Sequence, residues 1–225
     1  MSRRERAREA TREEIKAVAR RQMAASGTAS LSLTAVAREM ELVPSALYRY
    51  YPDRDALITA LLLDAFADLA AALHIAVESF PAHAYGARLK AASLAYRAWS
   101  LAHPVDFQLI FGNPIPGYHG PVELTGPAMQ RVFGVFLDII NEAYSAGRLR
   151  PVPDFTPAAL CLPSPGNPFA HYAPPVMYSG LAGWTTMHGV VTLELFGFLP
   201  HSLHDPETFF RGRMELYLAS VGLEP

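Results

Sequence analysis

Residues 31–55, LSLTAVAREMELVPSALYRYYPDRD, constrain the fold more than any other stretch. A short helix signal over Thr34–Met40 runs through a three-residue break into a second short helix opened by Pro44. The second ends in Tyr48-Arg49-Tyr50-Tyr51, and Pro52-Asp53 then starts a third, longer helix. Two short helices joined so tightly predict a helix-turn-helix, whose second member fits the DNA major groove. The outward-facing residues here are mostly ones that bind phosphates, so the expectation is a DNA-binding protein.

Helical periodicity extends to both sides. Helix 1 is expected over Thr11–Ser26, with Ile15, Val18, Ala19 and Met23 on one stripe and Gly27 as its stop. Residues 1–9 read as a frayed tail. Leu33, Val36, Ala37 and Met40 face inward on helix 2, and Leu47 anchors helix 3. Helix 4 carries Leu57, Ile58, Leu61, Leu62, Phe66, Leu69 and Leu73, a longer stripe than a three-helix head needs. Further helices are expected over Ala87–Ala102, Val105–Phe111 and around Met129–Tyr144, then over Val176–Leu199 and Pro206–Val221. His103-Pro104 breaks the first from the second, because a residue before proline is pushed out of the α region. Eight prolines in 151–175 exclude a continuous helix there. No strand pattern of useful length appears. The fold class is all-α: a three-helix head on a larger helical domain, divided as 1–75 and 76–225.

Charge supports one end for a polyanion. Residues 1–60 hold ten Arg and one Lys against eight acids, a balance of +3, while the remainder carries −5. A basic head on an acidic body suits nucleic acid, although +3 over 60 residues is also within chance. No uncharged run of about 18 apolar residues suggests a membrane partner; the nearest, Val176–Phe198, contains His188, Glu194 and four glycines. The Arg-rich start lacks the apolar segment of a secretory signal. The single cysteine, Cys161, excludes an intrachain disulfide and a multi-cysteine zinc site. A cytoplasmic location is expected.

Across Thr11–Phe66 the spacing resembles the DNA-binding head of the TetR family of bacterial transcriptional regulators. Leu47, Tyr48, Tyr50 and Tyr51 match that family's Leu-Tyr-x-His/Tyr-Phe/Tyr ending of helix 3. Ser32 matches the serine or threonine opening helix 2, and Arg54 the basic residue that meets a phosphate at the start of helix 4. Two positions depart: Glu41 stands where the turn usually has glycine, and Val43 where a serine or threonine caps helix 3. A positive φ at Glu41 would cost strain. The missing cap costs about 1 kcal/mol, partly offset by Pro44 at the first helical position. Trp184-Thr-Thr-Met-His188-Gly189 and Tyr96-Arg-Ala-Trp99-Ser-Leu-Ala-His103-Pro104 are similar to one C-terminal domain class of the family.

The candidate DNA-binding set is therefore Ser32, Thr34, Pro44, Ser45, Ala46, Tyr48, Arg49, Tyr50 and Arg54. Tyr48 and Tyr50 are expected to place hydroxyls on backbone oxygens, whereas Tyr51 packs helix 3 on its neighbours. Arg49 suits a guanine edge, with a phosphate almost as good a partner. Pro44 and Ala46 offer apolar contacts only. Arg3, Arg4, Arg6 and Arg8 form either a minor-groove arm or, more simply, a solvated tail.

In the second domain, Met177, Leu181, Trp184, His188, Val191, Leu195 and Phe198 form a four-three seam. A neighbouring stripe holds Gly180, Gly183, Met187 and Val190 (and Gly197 beyond them). Glycine within a helix costs roughly 1 kcal/mol, so close packing is the expected compensation. That stripe is expected to be the dimer interface, since TetR-like proteins pair through their last two long helices. Tyr96, Trp99, Phe107, Phe111, Phe133, Phe136, Trp184 and His188 are candidates for an apolar effector pocket; core packing accounts for them equally well, and His188 reads first as a satisfied core histidine. His201 and His204 have no metal-ligand company, and no cofactor is called for. The resemblance implies a homodimeric, ligand-responsive regulator: a repressor on a palindromic double-stranded DNA operator, released by a small apolar effector. A DNA-binding-deficient accessory protein is the alternative. No nucleophile, phosphate-loop, dinucleotide or metalloprotease motif points to an enzyme.

Overall fold

The computed structural model describes residues 2–150, 168–199 and 201–224, and among these every regular element is helical. Cys161 and the proline-rich stretch through residue 167 lie outside the described residues. The helices are α1 (Arg3–Ser26), α2 (Leu33–Glu39), α3 (Pro44–Leu47), α4 (Arg54–Glu78), α5 (Tyr85–Ala102), α6 (Pro104–Phe111), α7 (Val122–Ser145), α8 (Pro174–Leu195) and α9 (Pro206–Ser220). A 3-10 turn covers Thr28–Ser30.

The chain forms two compact units with boundaries other than 75/76. The first comprises Met1–Ala65 with His103–Thr125, and the second Phe66–Ala102 with Gly126–Pro225. Helix α4 contributes its first half to one unit and its second half to the other. It is long and apolar enough to cross a membrane by length and composition, yet 56% of its most apolar window is buried within the protein. That is the behaviour of a core helix.

In the first unit, Ile15, Val18, Ala19 and Met23 of α1 are buried with Leu33, Val36 and Ala37 of α2, Leu47, Tyr51, and Leu57, Ile58 and Leu61 of α4. The frayed start expected for residues 1–9 is corrected: α1 begins at Arg3. The Ser2 hydroxyl accepts from the Glu5 amide while the Glu5 carboxylate accepts from the Ser2 amide. This reciprocal cap satisfies two orphan donors at once. Lys16 reaches Asp64 and Glu13. Burial alone would lower its pKa, but the hydrogen bonds to both carboxylates outweigh burial and hold it raised.

Residues 103–125 join this unit for a local reason. His103 leaves the helical region (φ −125°, ψ 56°) and Pro104 starts α6 afresh. Asp106 then accepts two bonds from Arg20 Nε at 2.8 and 3.2 Å, and Phe107 is fully buried. Beyond α6, the Tyr118 and Thr59 hydroxyls lie 3.0 Å apart.

The second unit packs α5, α7, α8 and α9 with the last half of α4. Its core contains Tyr96 and Trp99 of α5, Val132, Ile139 and Ile140 of α7, Val176 and Val191 of α8, and Phe210, Met214 and Leu218 of α9. The Trp99 indole N–H donates to Asp68 at 2.8 Å, fixing α5 on α4.

Candidate nucleic-acid interface and apolar cavity

The turn of the helix-turn-helix is built on one unusual residue. Glu41 has φ 55°, the only positive φ among the described non-glycine residues. The Leu42 amide then donates to Ala37 O at 2.9 Å, closing α2. Val43 holds the cap position of α3 with no side-chain acceptor, and Pro44 begins the helix. Helical bonding continues past Leu47, through Tyr50 N to Leu47 O at 2.9 Å and Tyr51 N to Leu47 O at 3.1 Å. Leu47 and Tyr51 are buried, so this short helix hangs on two inward anchors and turns its other side chains out.

Thr34, Pro44, Ser45, Tyr48 and Arg49 are exposed, and Ser32, Ala46 and Tyr50 half-buried. Ser32 caps α2 by position but its hydroxyl makes no cap bond. Arg49 and Tyr50 share a surface hollow with Arg4, Arg8 and Thr11 of α1. The N-terminal arginines are thus held on a helix, not on an extended arm. Three guanidiniums gather around one hollow with no carboxylate lining it, a charge arrangement suited to an anion.

Arg54 differs from its expected place. Its guanidinium donates to Leu31 O at 3.0 Å, Ala29 O at 2.9 Å and Pro116 O at 3.4 Å. These bonds tie the 3-10 turn, the start of α4 and the loop after α6 together, a structural role that the resemblance did not indicate.

The second unit encloses a cavity of about 260 Å³. Phe133, Phe136, Leu137 and Ile140 of α7 form one wall, and Met177, Trp184 and Met187 of α8 another. Ser93, Phe169 and Tyr217 also line it, with Leu89, Met129 and Leu181. No charged side chain lines it among the described residues. Of the expected pocket residues, Phe133, Phe136 and Trp184 are in the lining. Tyr96 and His188 stand behind Trp184: the indole stacks on the imidazole at 4.7 Å and 16°, and Tyr96 meets the indole edge-on at 5.5 Å. The Tyr96 hydroxyl and His188 Nδ1 are 2.8 Å apart. Burial lowers the His188 pKa and raises that of Tyr96, so both stay neutral at pH 7. Trp99, Phe107 and Phe111 do not line the cavity. Trp99 is turned to Asp68, and Phe107 and Phe111 belong with α6 in the first unit, their rings 5.3 Å apart.

The glycine stripe is also corrected. A Cβ on Gly180 would lie 2.5 Å from Leu137, and one on Gly183 2.6 Å from the Tyr217 ring, while Met187 and Val190 are buried. The close packing these glycines allow is therefore within the subunit. The opposite face of α8 carries Thr185, Gly189 and Leu193, with Phe196 just past its end, and no charge; Leu193 is 45% and Phe196 52% exposed. Gly189, and Gly212 on α9, have nothing within 4 Å of a Cβ position. Among the described residues, no group of three His, Cys, Asp or Glu side chains could hold a metal ion.

Sequence reasoning did not single out Tyr217, Leu137 or Phe169 as lining. The signals that did mark cavity walls were the aromatic pair Phe133 and Phe136 of α7 and the seam of Met177, Leu181 and Trp184 of α8. Tyr217 lies alone on α9, with no pattern to mark it.

A two-anchor recognition helix beside a basic hollow defines a helix-turn-helix DNA-binding protein. Known proteins agree. Residues 15–61 match the model of bacterial regulatory proteins of the tetR family, and residues 89–217 that of the tetracyclin repressor-like C-terminal domain. The HTH-type transcriptional regulator Rv1816 of Mycobacterium tuberculosis is 32% identical over 222 residues, covering 95% of this chain and 93% of its own. Among solved structures, the regulatory protein SCO4313 is 33% identical with a TM-score of 0.75, covering 97% of this chain and 100% of its own. A protein from Rhodococcus sp. RHA1 is 25% identical with a TM-score of 0.72, covering 94% and 95%. The chain belongs to the TetR family of bacterial transcriptional regulators.

Proposed function

We propose that the chain is a homodimeric repressor that leaves a palindromic operator when a small apolar molecule enters the cavity of the second unit. It works in the cytoplasm, and it performs no covalent chemistry. The observation that carries this reading is the cavity itself. About 260 Å³ of apolar space, lined by aromatic and methionine side chains, costs packing energy that a well-filled core would not lose. A ligand that fills it recovers that energy.

The dimer is supported by the uncharged outer face of α8. Gly189 and Gly212 each cost roughly 1 kcal/mol in a helix, and neither is compensated by packing within the subunit. A second copy seated on α8 and α9 would supply the compensation, with Leu193 and Phe196 as its anchors. Two recognition helices would then meet successive major grooves about 34–36 Å apart. The DNA-facing set is Ser32, Thr34, Pro44, Ser45, Ala46, Tyr48, Arg49 and Tyr50, joined by Arg4 and Arg8.

Selection from a random duplex pool, followed by sedimentation of the protein, tests this reading. A two-fold symmetric site with half-sites one helical turn apart, bound by a dimer, is the expected result. A monomer at micromolar concentration, or enrichment of single half-sites, would sink it.

A further inference from the structure

The polar atoms of the cavity say which kind of molecule it accepts. Only two described lining residues bring a side-chain oxygen, Ser93 and Tyr217. A hydroxyl has one proton to donate and lone pairs to accept. Both protons are already placed: Ser93 Oγ donates to Leu89 O at 2.8 Å, and the Tyr217 hydroxyl to Ser179 O at 2.8 Å. Burial pushes the Tyr217 phenol up, so it keeps its proton. What remains on these two oxygens is acceptor capacity.

We propose, resting on the reading of this cavity as the effector site, that its ligand is an uncharged, flat, mainly hydrocarbon molecule that brings one hydrogen-bond donor, such as an aromatic alcohol. Size sets the scale: a dry cavity of roughly 150 Å³ holds a benzene, so 260 Å³ has room for two fused rings. Shape follows from the walls. Phe133 and Trp184 meet edge-on at 4.5 Å, and the indole is held from behind by His188, so a rigid aromatic surface is ready for a ring. Charge is selected against, because an ionised carboxylate would lose its water and find no cation in the described lining. A ketone or ether fits the walls but gains no hydrogen bond from Ser93 or Tyr217, whereas a hydroxyl donates to an oxygen already oriented by its own bond.

Titration calorimetry of the full chain at pH 7 with 2-naphthol, 2-methoxynaphthalene and 2-naphthoate tests the proposal. 2-Naphthol should bind about three- to tenfold more tightly than its methyl ether, the range of one neutral hydrogen bond. 2-Naphthoate should give no heat at millimolar concentration. In a Tyr217→Phe, Ser93→Ala double variant, the naphthol should fall to the level of the ether. Ser93→Ala alone, which trims a single oxygen, should narrow the gap in part, and it serves if thermal melting shows the double variant unfolded. Naphthoate binding as tightly as naphthol, a preference that survives both substitutions, or no binding of any probe would overturn the proposal. Naphthol that binds by these rules yet leaves operator affinity unchanged would sustain the ligand class and sink the effector reading alone.

Discussion

The two units treat their basic side chains in opposite ways. In the second, Arg97 donates to both oxygens of Glu194 at 2.6 and 2.8 Å and reaches Glu207 at 3.3 Å, while Lys90 meets Glu215 at 2.7 Å. In the first, Arg4, Arg8 and Arg49 gather around one hollow, none of them in an ion pair with a described residue. Paired cations near a core hold a fold together. Like charges gathered without a carboxylate do nothing for the free protein, and their use lies in a partner that is itself a polyanion. The same contrast runs inside the first unit, where Lys16, Arg20 and Arg54 are spent on internal acceptors. Position along the chain does not separate the two groups; what each guanidinium meets does.

The comparison breaks most visibly at Arg97. Its side chain is 12% exposed and that of Glu194 10%, so the pair is nearly out of water, and the bond to Glu194 holds the guanidinium pKa above its ordinary value. Arg97→Ala leaves a buried carboxylate without its cation. Denaturant unfolding should show a loss of about 3–5 kcal/mol. A loss under 1 kcal/mol would mean that Glu194 is solvated and the contrast between units is superficial.

Arg49 and Arg8 should behave in the reverse manner. Either change to Ala should move stability by no more than about 0.5 kcal/mol, as for other surface positions. Arg49→Ala should shift preference among operator variants by about 1–3 kcal/mol at one base pair if the contact is bidentate to guanine. Arg8→Ala should weaken all duplexes alike and flatten the slope of log K against log salt by roughly 0.9 for one phosphate. An unchanged slope for Arg8 and unchanged preference for Arg49 would together remove the hollow from the interface.

Arg54 sharpens the comparison because sequence and structure assign it to different groups. Arg54→Ala strips the hydrogen bonds from Ala29 O and Leu31 O, so a stability loss of about 1–3 kcal/mol is expected. The salt slope of DNA binding by the folded fraction should stay unchanged. A slope change near 0.9 without loss of stability would return Arg54 to the phosphate-binding set.

Arg54 also shows where the sequence stops being legible. The helices were readable because each carries a local 3.6-residue stripe, and the helix-turn-helix because its anchors, Leu47 and Tyr51, lie four residues apart. Three further features depend on distant partners and had no local mark. Arg54 bonds to carbonyls 23, 25 and 62 residues away, and Asp106 to Arg20 across 86. Periodicity placed Gly180, Gly183, Met187 and Val190 on one face correctly as a group. It could not say that Leu137 and Tyr217 of the same chain fill the space they leave, nor that Gly189 and Gly212 face out. The His103-Pro104 break was visible, but the unit that α6 joins was not.

Glu41 offers the smallest effect and separates fold from function within the head. At φ 55° a glutamate sits in the left-handed region that glycine enters without steric cost. Strain of this kind costs of order 1–3 kcal/mol, and the greater freedom of glycine in the unfolded chain takes back roughly half to one. Glu41→Gly should therefore stabilise the protein by about 1 kcal/mol, the middle of that difference. The side chain is exposed on the turn before α3, so its carboxylate adds a negative charge to the head that would repel a polyanion. Removing it should tighten binding to every duplex, most at low salt where screening is weakest. Glu41→Gln keeps a side chain in the strained conformation while discharging it, and so divides the two effects. It should tighten DNA without stabilising the fold. If the glutamine variant binds DNA like the wild type while the glycine variant binds better, then turn geometry rather than charge limits this head, and the strained residue at position 41 detunes the aim of its recognition helix.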